Sequence, residues 1–338
     1  MPRETRRCLC TGRRLTALFL LMLALAVLSL LLGSTTLSLP ELIRALRTAD
    51  RESVAWRIFF YTRLPRVLGG LLCGSGLAVA GAVLQVVLNN ALAGPNIIGI
   101  NAGAGFAALL VMALFPRWAA VLPVAAFLGA LACAAAIYGV ARLTGASRMT
   151  IVLAGVAISS VINAGAACLK ILFPDILAAY NSFSVGTLNG VTLGEVSVAA
   201  PYWGAGLVLI LLLRGDMNLL ALGEELAQSL GLGVERCRMF LLLGAAVLAG
   251  ASVSVCGLVG FVGLLVPHAV RALFGTDNRV VAVACIPMGA SFVLLCDLLG
   301  RTVFRPFEIP AGILLSLVGG AYFVVLLFRS RGGGKLHA

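Results

Sequence analysis

Charge is scarce in this chain. Only 11% of its 338 residues are Asp, Glu, Lys or Arg, against 61% hydrophobic, where a soluble domain carries about 25% charged residues. That shortage excludes a solvated globular protein. Histidine is rarer still: His268 and His337 are the only two. A paired-histidine zinc motif is therefore absent, as is a Gly-x-Ser-x-Gly nucleophile elbow. Gly332-Gly333-Gly334-Lys335 lacks the spacing and the following hydroxyl residue of a phosphate loop, so no ATP site is expected by that route. No catalytic residue, metal or cofactor is expected, and the chain reads as a non-enzyme. The nine cysteines show no ligand spacing. Cys73, Cys133, Cys168, Cys256, Cys285 and Cys296 fall in apolar runs and read as small buried hydrophobes, and Cys8 and Cys10 stand in a basic N-terminal segment without partner ligands. The ~10-residue alternation of barrel strands is missing too. Net charge is +12, but no nucleic-acid module is legible and the arginines sit at the ends of apolar runs, so no nucleic-acid partner is expected.

What is present is about ten long apolar stretches between Leu15 and Phe328. A helix needs roughly 20 apolar residues to cross a ~30 Å hydrocarbon core. The expected fold is an all-α integral membrane protein. Its spans lie near residues 15–32, 67–88, 97–115, 119–141, 151–173, 196–213, 239–255, 280–299 and 310–328. A short element at 257–266, stopping at Pro267, reads as a half-helix or broken span. The 39 glycines suit close helix approach in lipid. A helix start is expected at Leu39–Ile43, with Pro40 near N1. Arg3, Arg6, Arg7, Arg13 and Arg14 precede span 1, whose apolar core is too long for a signal peptide. Arg329, Arg331 and Lys335 follow the last span. An even span count places both termini in the cytoplasm. The expected organisation is a cytoplasmic segment 1–14, one transmembrane domain 15–328 and a cytoplasmic tail 329–338.

Ionisable groups at membrane depth mark ion-coupled carriers. Lys170 and Asp297 are the nearest candidates. Lys170 can snorkel from the outer end of its span, and Asp297 has Arg301 four residues on, a helical ion pair. No acid lies centrally in any span, which argues against a proton- or sodium-driven carrier and leaves the energy to another chain; a secondary carrier and a channel are the rival classes. His268, after Pro267, reads as a structural cap. The connection after span 1 holds Arg44, Arg47, Arg51, Arg57, Arg63 and Arg66 against Glu41, Asp50 and Glu52. Either an acidic partner docks there or a charge-paired helix lies on the surface. Residues 214–238 form a long polar interruption. Within it Leu222, Leu226 and Leu230 recur at four-residue spacing, with Glu224 and Glu225 in the first turn and Gly231 ending the helix. Two short helices meeting at Gly223 make a knob suited to the groove of a cytoplasmic motor; the alternative is an interfacial helix, against which its acidic face speaks. Glycine-rich spans broken near proline occur at Gly81–Pro95 and Gly257–Pro267, a faint echo of inverted-repeat transporters.

Several segments resemble the permease subunits of ABC importers for iron–siderophore complexes, haem and cobalamin, the FecCD/BtuC-like family. They are Arg63-Leu64-Pro65-Arg66, Gly81 through Asn90-Ala91-Leu92-Ala93-Gly94-Pro95, Gly99 to Gly105, Leu222-Gly223-Glu224-Glu225 with Ser229-Leu230-Gly231, Gly257 to His268, Asp277 with Arg279, and Glu308 to Gly312. The resemblance runs in order from about residue 55 to 330. It implies the BtuC-like (type II importer) fold of ten helices in the inner membrane, beside a second permease subunit, identical or homologous, and above two ATP-binding subunits. By the same resemblance Arg63, Arg66 and Arg301 would dock glutamates of an extracytoplasmic binding protein. Leu219, Leu222, Gly223, Glu224, Glu225, Leu230 and Gly231, within a coupling segment 216–231, would engage the ATPase. Asn90, Leu92, Arg148 and Thr150 would form the cytoplasmic gate. Family members usually carry proline where Ala91 stands, and many have tryptophan in the segment after span 5, where this chain has Ser184 to Leu188. The cargo expected is an iron complex of the ferric-siderophore class, with haem and cobalamin as alternatives.

Overall fold

The computed structural model describes residues 3–33, 40, 51–96, 98–144 and 148–332. Thirteen α-helices are laid out among them, with no strand. Helix α1 is Arg3–Leu31; α2, Val54–Ile58, passes through a π-turn, Phe59–Arg63, into α3, Leu64–Val87. Then follow α4 (Ile100–Leu114), α5 (Leu122–Leu143), α6 (Arg148–Leu172), α7 (Leu177–Val185), α8 (Leu193–Ala221), α9 (Glu224–Ser229), α10 (Val234–Cys256), α11 (Val262–Phe274), α12 (Asn278–Thr302) and α13 (Ala311–Gly332). Seven helical stretches are long and apolar enough to span a bilayer, and α4, α11 and α13 are shorter apolar helices. Together they account for the ten stretches expected. The helix start expected at Leu39–Ile43 lies, Pro40 apart, outside the described residues.

Helix α3 is the axis of the molecule, and nearly all of it is buried. It carries glycine where other backbones cross it. A Cβ at Gly74 would overlap the Gly289 carbonyl of α12, and one at Gly81 would overlap Gly263 of α11. Without side chains at these crossings the helices come close enough for backbone contact, which in lipid replaces the hydrophobic drive available in water. Helices α10, α8 and α12 complete the packing around α3, while α4 and α5 pair beside α10. Helix α8 starts at a capping box: Thr192 Oγ1 accepts from Glu195 N at 3.2 Å and Glu195 Oε2 accepts from Thr192 N at 2.8 Å. The arrangement satisfies two otherwise orphaned amides.

The broken span differs from its expected limits. Helix α11 begins at Val262 and continues through Pro267 to Phe274; the irregular part is Gly257–Phe261, ahead of it. Pro267 lacks an N–H, so the Gly263 carbonyl four residues back loses its helical donor. Gln85 Nε2 fills that gap, 3.5 Å from the Gly263 oxygen and 3.2 Å from that of Leu264. Backbone polar groups in and beside the unwound segment find partners as well. Leu258 N donates to Phe183 O and Thr187 N to Cys256 O, each at 2.9 Å, and Gly312 N donates to Gly186 O at 3.0 Å. Non-helical backbone at membrane depth is tolerated where protein supplies such partners. Of the cysteines expected to be buried, Cys168 is exposed, because its face of α6 is uncovered; Cys73, Cys133, Cys256, Cys285 and Cys296 are buried.

Candidate functional site

The three candidate docking arginines converge at one end of α12 and lie inside the protein: Arg63, Arg66 and Arg301 are 2%, 4% and 2% exposed. Arg66 Nε donates to Asp297 at 2.9 Å, and its Nη1 reaches Glu308 Oε2 at 2.8 Å. Arg301 Nε stands 3.3 Å from Asp297 Oδ2, the helical pair expected from sequence. Arg301 Nη2 also donates to Ser29 O at 2.7 Å, Arg63 Nη1 to Leu30 O at 2.8 Å, and Arg305 to Gly33 O. The Ser29 and Leu30 carbonyls in the last turn of α1, which no helical N–H can reach, are thus capped by Arg301 and Arg63, and the negative end of the helix dipole meets positive charge. Nothing in the sequence pointed to this use. Direct contact of the three guanidiniums with a partner would require this network to open. Arg51, Arg57 and Arg305 are exposed, and Arg57 pairs with Glu52 at 3.6 Å.

At the other end of α12 lies the candidate coupling segment. Sequence spacing suggested two short helices meeting at Gly223. The first is instead the last turns of α8, which runs unbroken past Arg214 to Ala221 because Met217 and Leu220 are fully buried and hold it to the bundle. Gly223, at φ 110°, turns the chain into α9, a conformation side chains resist. Ala227 seats α9, and Glu224 Oε1 meets Arg238 Nη2 of α10 at 2.6 Å. Leu222, Leu226 and Leu230 are left 57%, 58% and 59% exposed, with Glu225 also exposed and Leu219 half-buried. Gly231, at φ 86°, follows α9.

A clamp ties this knob to α12. Asn218 Nδ2 donates to Asp277 Oδ1 at 2.7 Å, and Asn218 Oδ1 accepts from Asn278 N at 2.8 Å. Asp277 Oδ1, as N-cap of α12, also accepts from Arg279 N at 2.9 Å. The Asn218 amide, aided by the Arg279 N–H and the charges of Arg279 and Arg214, holds the Asp277 carboxyl below the usual carboxylate range against opposing burial. Sequence reasoning placed Asn218 in segment 216–231 and noted Asp277, but did not join them across 59 residues.

The candidate gate residues are partly assembled. Asn90 Oδ1 accepts from Leu92 N at 2.9 Å, fixing the loop after α3. Leu92 lines a cavity of about 200 Å³ against Pro95, Asn96, Gly260, Phe261 and Leu264. Phe261 sits at φ 64°, uncommon for a residue with a Cβ. The loop holding Asn90 and Leu92 therefore meets the unwound segment. Arg148 opens α6 and Thr150 follows in its first turn; residues 145–147 before them, and the Arg148 side chain, lie outside the described residues.

A model of the FecCD transport family matches residues 20–329. The chain is 37% identical over 336 residues to the Fe(3+)-citrate import system permease protein YfmE of Bacillus subtilis, covering 98% of this chain and 99% of that protein. It is 35% identical over 320 residues to the hemin transport system permease protein HmuU of Yersinia pestis, covering 93% and 95%. Among solved structures, an inward-facing conformation of a metal-chelate type ABC transporter superposes with a TM-score of 0.83 at 27% identity, covering 94% of this chain and 99% of that one. The chain belongs to the FecCD transport family and is a multi-pass permease subunit of an ABC importer.

Proposed function

We propose that the cargo is a ferric complex of a small organic chelator, of the ferric-siderophore class. The likeness at 37% identity to a permease named for Fe(3+)-citrate import, over almost the whole of both chains, carries this reading. A haem importer is the second reading, favoured by the HmuU likeness. Cargo passes from an extracytoplasmic binding protein into a conduit between this subunit and a second permease subunit, identical or homologous. The two would be paired through faces such as that of α6, only 22% of whose apolar window is buried. Both termini, including segments 1–14 and 329–338, face the cytoplasm together with the coupling segment 216–231. There Leu222, Leu226 and Leu230 enter the ATPase groove beside Glu225, while Gly223, Glu224 and Gly231 hold them in place. Two ATPase subunits close on nucleotide, the knob moves, and the Asn218–Asp277 clamp passes that displacement to α12. The Asn90–Leu92 loop gates the inner end with the Arg148–Thr150 turn. Arg63, Arg66 and Arg301 contribute to binding-protein docking as the charged floor beneath Arg305, and opposite charge suits orientation and encounter rate.

The test is binding of the cognate solute-binding protein to a panel of ferric siderophores, ferric citrate, haem and cobalamin, followed by uptake of its best ligand in proteoliposomes holding the whole transporter. Ferric chelate taken up with ATP, and not with a Walker-lysine ATPase variant, is the expected result. Preference for haem or cobalamin overturns the cargo assignment, and uptake independent of the ATPase overturns the class.

A further inference from the structure

A second cavity adjoins the gate. It measures about 280 Å³ and is lined by Asn96, Asn101, Ser159, Asn163 and Tyr180, with Leu258 of the unwound segment among its apolar walls. Its setting makes it unusual. Another cavity of this chain, about 330 Å³ between α5 and α10, is lined almost wholly by apolar side chains such as Leu131, Ala134, Leu242 and Ala246. Ser159 and Asn163 lie near the middle of α6, a 25-residue helix, roughly 16–22 Å along it at 1.5 Å per residue. Asn163 is exposed there, and a carboxamide facing lipid at that depth is costly. That stretch of α6 therefore faces a polar conduit or a partner rather than hydrocarbon.

Two polar atoms at the recess lack partners. Asn101 Oδ1 and Ser159 Oγ are both inaccessible and have no hydrogen-bond partner among the described residues. Leaving a buried polar group unsatisfied costs about 1–3 kcal/mol, and native proteins keep few such groups without a reason. The recess also joins the gate physically: Asn96 lines both cavities, and neighbouring residues Leu258 and Val259 wall one each.

Resting on the proposed function above, we infer that this recess is a cargo-contact station within the conduit, binding the uncharged, hydrogen-bonding periphery of a metal chelate as it approaches the gate. The lining offers amide and hydroxyl donors and acceptors together. None of its side chains is an acid, a lysine, an arginine or a histidine. Hydroxamate, amide or hydroxyl groups find complements in this lining, and no cation stands among the lining side chains to pair with the free carboxylates of a citrate complex; the nearby Lys170 Nζ is held over the Tyr180 ring, 4.5 Å from its centroid. Contact is weak by construction, since a permease that held cargo tightly would not release it.

The probe is gallium(III) trihydroxamate, a diamagnetic neutral chelate, added to the nucleotide-free permease–ATPase complex in nanodiscs and followed by saturation-transfer NMR. Gallium citrate serves as the anionic comparison. Binding of the trihydroxamate and not of citrate is expected, weakened about tenfold for each lost hydrogen bond in Ser159→Ala and Asn163→Leu. Ser160→Ala is the control, because Ser160 Oγ already donates to Val156 O of its own helix at 2.8 Å. Ser159→Ala removes a hydroxyl without a partner, so its thermal midpoint should equal or exceed that of the wild type. A fall in that midpoint makes Ser159 structural and overturns the inference. So does wild-type binding unaffected by either variant, and so does the absence of trihydroxamate binding. Uptake of ferric chelates by the whole transporter is measured in parallel. Uptake that persists without binding in the recess overturns this inference alone, and failure to take up any ferric chelate overturns the proposed function instead.

Discussion

Asp297 carries more of the structure than any other acid described. It is 1% exposed and lies between two guanidiniums, Arg66 and Arg301, that are themselves buried. Removing one member of a buried charge cluster leaves the others uncompensated, at about 3–5 kcal/mol. Asp297→Ala should therefore lower the stability of the detergent-solubilised protein by that order in thermal or denaturant unfolding; a loss under about 1 kcal/mol would mean the cluster is screened by solvent. Arg66→Glu should be equally damaging, because it sets a third carboxylate against Asp297 and Glu308, so it is a poor probe of docking. Arg305→Glu is the better one, since that side chain is exposed. Half of this cluster was legible in the sequence. Asp297 and Arg301 are one helical turn apart and announce each other, but Arg66 is 231 residues from Asp297, and the Ser29 carbonyl 272 residues from Arg301. Main-chain acceptors leave no mark in a sequence, so an arginine that caps a helix end reads the same as one offered to a partner.

Between elements, the closest contacts are made where side chains are missing. Gly81 crosses Gly263 with no room for a Cβ, whereas one at Gly139 would meet nothing within 4 Å. Gly81→Val should cost at least about 2 kcal/mol through overpacking and abolish the folded permease, while Gly139→Ala should be tolerated. Yield of monodisperse protein in detergent separates them, and equal yields would refute the crossing. The apolar stretches revealed the helices but not how α11 begins, because Pro267 reads as a stop in a sequence. Gln85, supplied by another helix, lets α11 continue past it. At the base of α8 the Asn218–Asp277 clamp has a pH signature. The Asp277 carboxyl is held below its usual range, so the stability it adds is present at pH values above the ordinary carboxylate range and is lost as pH falls through its lowered folded value. The difference in melting temperature between wild type and Asp277→Asn should be flat from about pH 5 to 8 and shrink below about pH 4. Asp277 is exposed, so the effect is small, and a difference that grew on acidification would reverse the assignment.

Across the whole molecule the ionic cluster and the coupling knob sit at opposite ends of α12, a single 25-residue helix. That helix packs along α3 through the Gly74–Gly289 crossing, so a displacement at the knob has a rigid route through the bundle. Sequence spacing identified the leucine stripe because exposure on a short helix repeats every four residues. The polar recess stayed hidden, because Asn96 just before α4, Asn101 in its first turn, Ser159 and Asn163 on α6 and Tyr180 on α7 meet only in the fold. The knob itself divides into a part that holds and a part that faces outward. Glu224 is committed to buried Arg238 at 2.6 Å, so Glu224→Ala should loosen α9 and lower the melting temperature of the permease by itself. Leu226, by contrast, is 58% exposed. Leu226→Asp should therefore leave the permease as stable as wild type, while setting a charge where the proposed function has an apolar side chain enter the ATPase groove; burying a charge unpaired there would be costly enough to break the complex. Co-purification with the ATPase should fall at least tenfold, and ATP-driven uptake with it. If Leu226→Asp still co-purifies at wild-type levels and drives uptake, the exposed leucines are not the contact, and the power stroke enters this subunit somewhere other than α9.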